Sequence, residues 1–376
     1  METVLGRLPD VAVVIPLYNG APWVRATLDA VSAQTHPPRE IVVVDNGSSD
    51  DGPVLVSTWP GVRLVHCAKQ GTDLARQTGL EQTTSPLVAL LDQDDLWHPA
   101  HLELLATALV HHPDAVAAVD TTRWFMDGQP PAFDPPVLNL DRVDPWDVYP
   151  GCFTPTPSGA LIRRSALRES GGWVSGYLGC ADTYMWLRLS VAGTLVRNRC
   201  TTAAHRRFQT SHNGRLRTER PNEYMAHIVR AAVDVTRERE QQRPDEQATL
   251  ADKRALVLAA GRMQEALRAR EGAALADAAR EMETGARTCT ERQIIEALGL
   301  VLWMLGPVWS SPEGYDLTWQ LLVRDWPPQA RRTGRARFAL TSGRRAWACL
   351  RRRPADLWRW RLVARVLGRR LAAPSS

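Results

Sequence analysis

The sequence predicts an α/β fold, a mostly parallel sheet with helices between its strands, and three observations carry that expectation. Val11–Leu17, VAVVIPL, is a short β-branched run bounded by turn residues. Residues 41–44, IVVV, repeat the pattern before DNGSSDDG, and between the two runs Val24, Leu28 and Val31 recur at helical spacing. Short, wholly apolar runs are the mark of strands buried on both faces, and strand, helix, strand in that order is a βαβ unit.

The pattern continues with a third strand expected at 62–65, a helix at 74–82 and a fourth strand at 87–91 that runs into Asp92-Gln93-Asp94-Asp95. In an open sheet of this kind ligands bind at the carboxyl ends of the strands. From about 222 to 305 the chain turns rich in Ala, Glu, Arg and Leu, with Leu256, Ala260, Met263 and Leu267 at helical spacing. Pro307, Pro312, Gly314 and Pro327-Pro328 then interrupt it before a tail rich in Trp and Arg. The expected organisation is an α/β domain over 1–220, a helical appendage over 221–328 and a basic helical tail over 329–376.

Of the 376 residues 44% are hydrophobic and 23% charged, the balance of a globular protein and not of a disordered one. Six cysteines, at 67, 152, 180, 200, 289 and 349, form no C-x-x-C pair and suit a reducing cytoplasm better than a zinc site or a disulfide framework. The start, METVLGRLPD, lacks the basic and apolar regions of a secretory signal, and the longest apolar run, 294–309, contains Glu296 and Pro307 and is too short to span a bilayer. From Arg331 onward there are fourteen arginines against the single acid Asp356, a net +13 that follows a body of −8. Such a tail suits an anionic partner. Leu357, Trp360, Val363, Ala364, Leu367 and Leu371 make one apolar stripe there, which reads equally as an interfacial helix at the inner face of a membrane or as a helix packed on the appendage. Nucleic acid is not the expected partner.

Asp92, Asp94 and Asp95 crowd the end of a buried strand. Carboxylates at i and i+2 in a turn reach a hard cation such as Mn²⁺ or Mg²⁺ together with substrate phosphates, and without a cation the three would repel one another. The plainer alternative is that they cap the helix after Pro99. Asp45, at the end of the second strand, suits either a nucleobase N–H or an Asx-turn. Tyr18 stacks on a base or covers the sheet edge, and Arg76 pairs with a diphosphate or lies in solvent. His98, His101, His111 and His112 read as helix surface or core rather than zinc ligands. Trp303, Trp309, Trp319 and Trp326 read as core and interface anchors rather than a sugar platform.

VVIPLYNGAPWVRATLDAVSAQTHPPREIVVVDNGSSDDG followed by GTDLARQTGLEQTTSPLVALLDQDD resembles the nucleotide-binding half of a family 2 glycosyltransferase. SGALIRRSALRESGGW resembles the segment leading to the acceptor side, CADTYMWLRLSVAG the motif that usually reads Glu-Asp before an amphipathic helix, and HRRFQTS the closing arginine-containing loop; together the resemblance covers about residues 9–215. It implies a GT-A fold, an inverting reaction and a nucleotide-sugar donor, most commonly a UDP-sugar. Carried onto this chain, it implies that Pro16, Tyr18, Asp45, Arg76, Asp92, Gln93 and Arg206 hold the donor, with Ser211 in the closing loop. Asp92 and Asp94 would hold Mn²⁺ or Mg²⁺, and Asp182 would be the catalytic base. The chain departs from the family at Ala181, where a Glu is usual. Without the resemblance Asp182 reads as the N-cap of a helix over 183–191.

The expected acceptor is a glycan, a lipid-linked species or a small molecule, with a peptide side chain as the alternative. Neither membrane spans nor a Q-x-x-R-W motif occur, which argues against a processive polysaccharide synthase. A non-catalytic nucleotide-sugar-binding scaffold is the remaining reading, favoured by Ala181 and opposed by the four acids at positions 45, 92, 94 and 182.

Overall fold

A computed structural model describes residues 7–126, 128–148, 156–207 and 219–269, with positions 274, 277, 278 and 281 beyond them. The expectations for Ser211, for Trp303, Trp309, Trp319 and Trp326 and for the basic tail lie outside the described residues. By its internal contacts the chain forms two compact units, Met1–Asp245 and Glu246–Ser376.

The first unit begins as the sequence predicts, with β1 (Val11–Leu17), α1 (Val24–Ser32), β2 (Glu40–Asp45), α2 (Gly52–Ser57), β3 (Val62–His66), α3 (Thr72–Glu81) and β4 (Leu87–Leu90). β1 lies parallel to both β2 and β4, and β2 parallel to β3. The chain then adds β5 (Leu96–Trp97), α4 (His101–His111), β6 (Ala115–Val119), β7 (Arg123–Met126), β8 (Leu140–Val143), α5 (Pro145–Val148), β9 (Ala160–Arg163), α6 (Arg164–Glu169), α7 (Ala181–Ala192), β10 (Thr194–Asn198), β11 (Ala203–Arg207) and α8 (Pro221–Gln242). Eight strands make one sheet in the order β3-β2-β1-β4-β9-β6-β10-β8, and β5-β11-β7 make a second. Most pairings in the large sheet are parallel; β9 is antiparallel to both β4 and β6, and β8 to β10. This is the mixed, mostly parallel sheet that the sequence predicts.

All seven residues of β1 are buried. Val11, Val13, Ile15 and Leu17 pack with Val24, Leu28, Val31, Leu102 and Leu105 on one face, while Val14 joins Leu90, Ile162, Leu167, Met185 and Trp186 on the other. Helices α1, α3, α4 and α7 have no side-chain hydrogen bond at the N-cap. A cap contributes about 1 kcal/mol and each buried branched side chain about 1.5–3 kcal/mol, so packing sets where these helices lie. In α3 the helix presses close because Gly79 has no side chain: a Cβ there would stand 2.2 Å from Val14 Cγ1.

The small sheet is fastened to the large one by Asp120, just beyond β6. Its Oδ2 accepts the backbone N–H groups of Thr202 (2.9 Å) and Ala203 (2.6 Å) and the Thr202 hydroxyl (2.9 Å), and its Oδ1 accepts the Thr122 hydroxyl (3.0 Å). Burial pushes the Asp120 carboxyl up to about 7 against these hydrogen bonds, which lower it. Asp120→Ala leaves several buried donors unpaired, at ~1–3 kcal/mol each, so urea denaturation should show a loss of ~3 kcal/mol or more. The fold binds a proton at Asp120 more tightly than the unfolded chain, where the value is near 3.8. The stability of the wild type relative to Asp120→Asn is therefore expected to decline as pH rises from about 4 to 7.

Long α8 falls within the expected appendage by position, yet by contacts it belongs to the first unit and packs on α7. Tyr177 donates to Asp234 (2.9 Å), Tyr184 to Glu238 (2.5 Å), and Arg188 pairs with Glu238 at 2.9 Å. The second unit contains α9 (Gln247–Ala269), whose buried Leu256, Ala260 and Met263 keep the predicted spacing. No helix among the described residues is long and apolar enough to cross a membrane.

Candidate active site

The carboxyl ends of β1, β2 and β4 converge, as the βαβ order requires. Beyond β4 the chain turns within residues 92–95, closed by the Asp95 N–H donating to the Asp92 carbonyl at 3.0 Å. Gln93 ties this turn to the end of β1: Tyr18 N–H donates to its Oε1 (2.7 Å) and its Nε2 donates to the Tyr18 carbonyl (3.0 Å). Thr27 in α1 adds a hydroxyl donated to the Gln93 carbonyl at 2.7 Å. Gln93 thus holds the rim of the cleft in place, whatever else it touches.

On that rim Pro16 pairs in register with Val44, and the Tyr18 ring is half exposed. Asp45 braces the turn after β2, though not as an Asx-turn, which would close two residues on: Ser48 N–H, three residues on, donates to Oδ1 at 3.0 Å, while Oδ2 meets His66 Nδ1 at 3.1 Å. Burial raises the Asp45 carboxyl, but Ser48 and His66 outweigh it and hold it below the usual range. Asn19, at φ 49°, accepts the Ser49 N–H at 2.8 Å, and Asp50 accepts the Ala21 N–H at 2.8 Å. These bonds join the loops after β1 and β2 into one edge.

Arg76 is not the solvated helix arginine that its position suggests. Only 5% exposed, it donates from Nη2 to Asp92 Oδ1 and from Nη1 to Asp182 Oδ1, both at 2.6 Å. Asp182 lies in the first turn of α7, whose N-cap is Cys180 and carries no side-chain cap. The N-cap reading of Asp182 therefore falls, because its carboxylate is turned to Arg76 and to the Trp173 indole N–H at 3.5 Å. Burial raises the Asp182 carboxyl above its ordinary value, Arg76 lowers it and Asp92 raises it again, with a net rise. The acids at 92–95 are not caps either, since α4 begins after Ala100 without a side-chain cap.

Asp95 is wholly buried and fully engaged. Its Oδ1 accepts the Arg206 N–H (3.0 Å), and its Oδ2 accepts the Ser158 hydroxyl (2.5 Å) and meets His205 Nδ1 at 3.0 Å. Ser158 also accepts the Asp92 N–H at 3.0 Å. Arg206 donates from Nε to the Asp94 carbonyl at 2.9 Å and lies over the Phe125 ring. Burial, Asp95 and Asp92 push the Asp94 carboxyl up to about 7, partly offset by His205. Burial works against the His205 imidazolium, yet Asp95, Asp92 and Asp94 hold it up at about 9. Asp92, Asp95 and His205 each bring a ligand-type atom to within 4.8 Å of the others.

Asp92, Asp95 and His205 fit a hard divalent cation, carboxylate oxygens with one imidazole, and beside them burial together with the Asp95 and Asp92 charges pushes the Asp94 carboxyl up to about 7. His205 Nδ1 is held by Asp95, so once the imidazolium proton is displaced the other ring nitrogen can face an ion, and the Asp95 contact is of the kind that orients a ligand histidine. Ser158, Trp173 and His205 had not been singled out from sequence. His205 sits in β11, 110 residues from Asp95, and only the HRRF resemblance pointed near it. His101, by contrast, is a core residue: burial pushes it down to about 3, and it bonds Thr202 Oγ1 at 2.8 Å.

Residues 12–171 match the family described as glycosyl transferase family 2. An uncharacterized glycosyltransferase of Nostoc sp. is 29% identical over 174 residues, 42% of this chain and 52% of the relative. The chain thus spans about half the length of that relative. S. aureus TarS 1–349 in complex with UDP-GlcNAc superposes with a TM-score of 0.56 at 13% identity, covering 83% of this chain and 90% of that one. A mannosyltransferase from Pyrobaculum calidifontis in complex with GDP-Man and Mn²⁺ gives 0.50 at 19% identity, covering 84% of each chain. At these identities the two structures establish the fold alone.

Proposed function

We propose that this chain, whose residues 12–171 carry a glycosyl transferase family 2 domain, moves a sugar from a nucleoside diphosphate, UDP first, to an acceptor hydroxyl with inversion at the anomeric carbon. The observation that carries this reading is the pairing of Asp92 and Asp182 on one buried arginine, which joins a diphosphate-side acid and a base candidate from opposite ends of the domain. Asp92, Asp94 and His205 would hold Mn²⁺ or Mg²⁺, oriented by Asp95. Bound there, the cation stabilises the negative charge that builds on the leaving diphosphate.

The chain's own residues do the rest. Asp182 takes the proton from the acceptor hydroxyl as its oxygen bonds to the anomeric carbon and the sugar–diphosphate bond breaks. Its side chain is 32% exposed, so an acceptor can reach it. Asp182 is the only acid in the first turn of α7, and with Ala181 before it the base role falls on it alone. Tyr18 and Asp45 line the nucleotide end of the cleft, and Arg206 braces the 92–95 turn from β11. TarS was solved with UDP-GlcNAc and the Pyrobaculum enzyme with GDP-Man, so release of UDP or GDP from a panel of both nucleotide sugars is the direct test. No donor turned over, with or without added acceptor, would defeat the reading in favour of a binding scaffold.

Tyr18→Ala and Asp45→Ala are expected to raise KM for the donor about tenfold, ~1.4 kcal/mol of binding, with kcat nearly kept. Initial rates over a donor titration check this. A fall in kcat at unchanged KM would place both residues elsewhere than in nucleotide binding.

A further inference from the structure

The resemblance makes Arg76 a ligand of the donor diphosphate, and the geometry points elsewhere. Its side chain is 6% exposed, whereas those of Asp92 and Asp182 are 22% and 32% exposed. The two carboxylates reach solvent, and the guanidinium that bridges them hardly does. A diphosphate arriving from solvent meets the carboxylates before it meets Arg76, and to pair with Arg76 it would have to displace one of two contacts at 2.6 Å. Arg76 Nε is buried without a partner, so the arginine's bonding in the site is directed through its two terminal nitrogens.

We infer that Arg76 is a positioning residue that locks the base Asp182 at a fixed spacing from Asp92, and that it does not bind the donor. The inference rests on the reading of Asp182 as the base. A guanidinium is a rigid planar fork, so two carboxylates bonded to its separate terminal nitrogens are set a few ångströms apart in one plane. The same positive charge offsets the repulsion between them, which would otherwise drive the two acids apart or neutralise one. The helix that carries the fork is itself seated close on the sheet, since a Cβ at Gly79, one turn beyond Arg76, would stand 2.2 Å from Val14 Cγ1. A base that acts in line with a departing diphosphate gains rate from orientation as much as from basicity, so a misplaced Asp182 costs turnover and not donor affinity.

Lysine keeps the charge and loses the fork. Calorimetric binding of UDP with Mn²⁺ to Arg76→Lys is expected within about threefold of wild type, and kcat on the best donor of the panel falls ~10²-fold. The decisive comparison is Arg76→Lys/Asp182→Asn against Asp182→Asn alone: if Arg76 acts through Asp182, the double variant is no slower than the single one within about threefold. Should Arg76→Lys not fold, as judged by its melting transition, Arg76→Gln in the same two backgrounds gives the same comparison with a shorter, uncharged side chain that lacks the fork. A UDP affinity weakened tenfold or more with kcat kept would make Arg76 a donor ligand and overturn the inference. A further ~10²-fold loss in the double variant would overturn it as well, while leaving Asp182 as the base. Normal turnover by Asp182→Asn alone would defeat the base assignment and the inference with it.

Discussion

Asp182→Asn is expected to lower kcat for sugar transfer by ~10²–10⁴ while the affinity for UDP with Mn²⁺ stays near wild type, the usual worth of a positioned general base. Asparagine preserves the shape of the side chain, and its carbonyl oxygen can still accept from Arg76 Nη1, which in the wild type lies 2.6 Å from Oδ1. The substitution does not touch a helix cap, because α7 is not capped by this residue. What disappears is the capacity to take a proton. Burial and the Asp92 charge raise the Asp182 carboxyl above its ordinary range in spite of Arg76, so the wild-type rate should climb with pH as the proton leaves it. In Asp182→Asn that limb of the pH profile should vanish along with the rate. Turnover at the wild-type rate would show that the base lies elsewhere, and the acid Asp144, ahead of α5, would be the next residue to change.

The first half of the domain was legible because its signals are local. β1 and β2 are β-branched runs buried on both faces, and α1 shows its apolar face at a spacing of three and four residues. β6 reads AVAAV and β9 ALIR, short stretches without an alternating pattern, and β7 exposes three of its four residues. Nothing in their own residues marks those segments as strands; their neighbours in the sheet decide it. The site divides in the same way. The acids at 92, 94 and 95 announce themselves by crowding, and Asp182 through the motif around it. Arg76 does not, because a single arginine on a helix looks solvated until its partners, 16 and 106 residues away, are brought to it. Asp95 and His205 are linked over a still longer separation, and the reason that Asp95 is buried lies in β11 and Ser158 rather than in its own segment.

Chelation is expected to remove activity by ~10³-fold or more, since a cation at a departing diphosphate contributes several kcal/mol to the transition state, and added Mn²⁺ or Mg²⁺ should restore it. The three acids at the end of β4 should then separate by role. Asp94→Asn removes a carboxylate that is not committed to another element, so it should raise the metal concentration for half-activation by about 10–100-fold with little change in melting temperature, and Asp92→Asn should raise it likewise while weakening the pairing with Arg76. Asp95→Asn should behave differently. Asp95 accepts from Arg206 N–H and from Ser158 and holds His205, so an amide there turns donors toward donors, and a measurable loss of thermal stability should accompany the loss of activity. The pH dependence has a definite sign. Asp94 is pushed up to about 7 and His205 up to about 9, so a cation must displace protons to bind, and the half-activating concentration should fall as pH rises from about 6 to 8. Full activity in excess chelator would remove the metal from the mechanism. Equal loss of metal response with unchanged stability in all three variants would instead make Asp95 a direct ligand, in the cluster that it forms with Asp92 and His205.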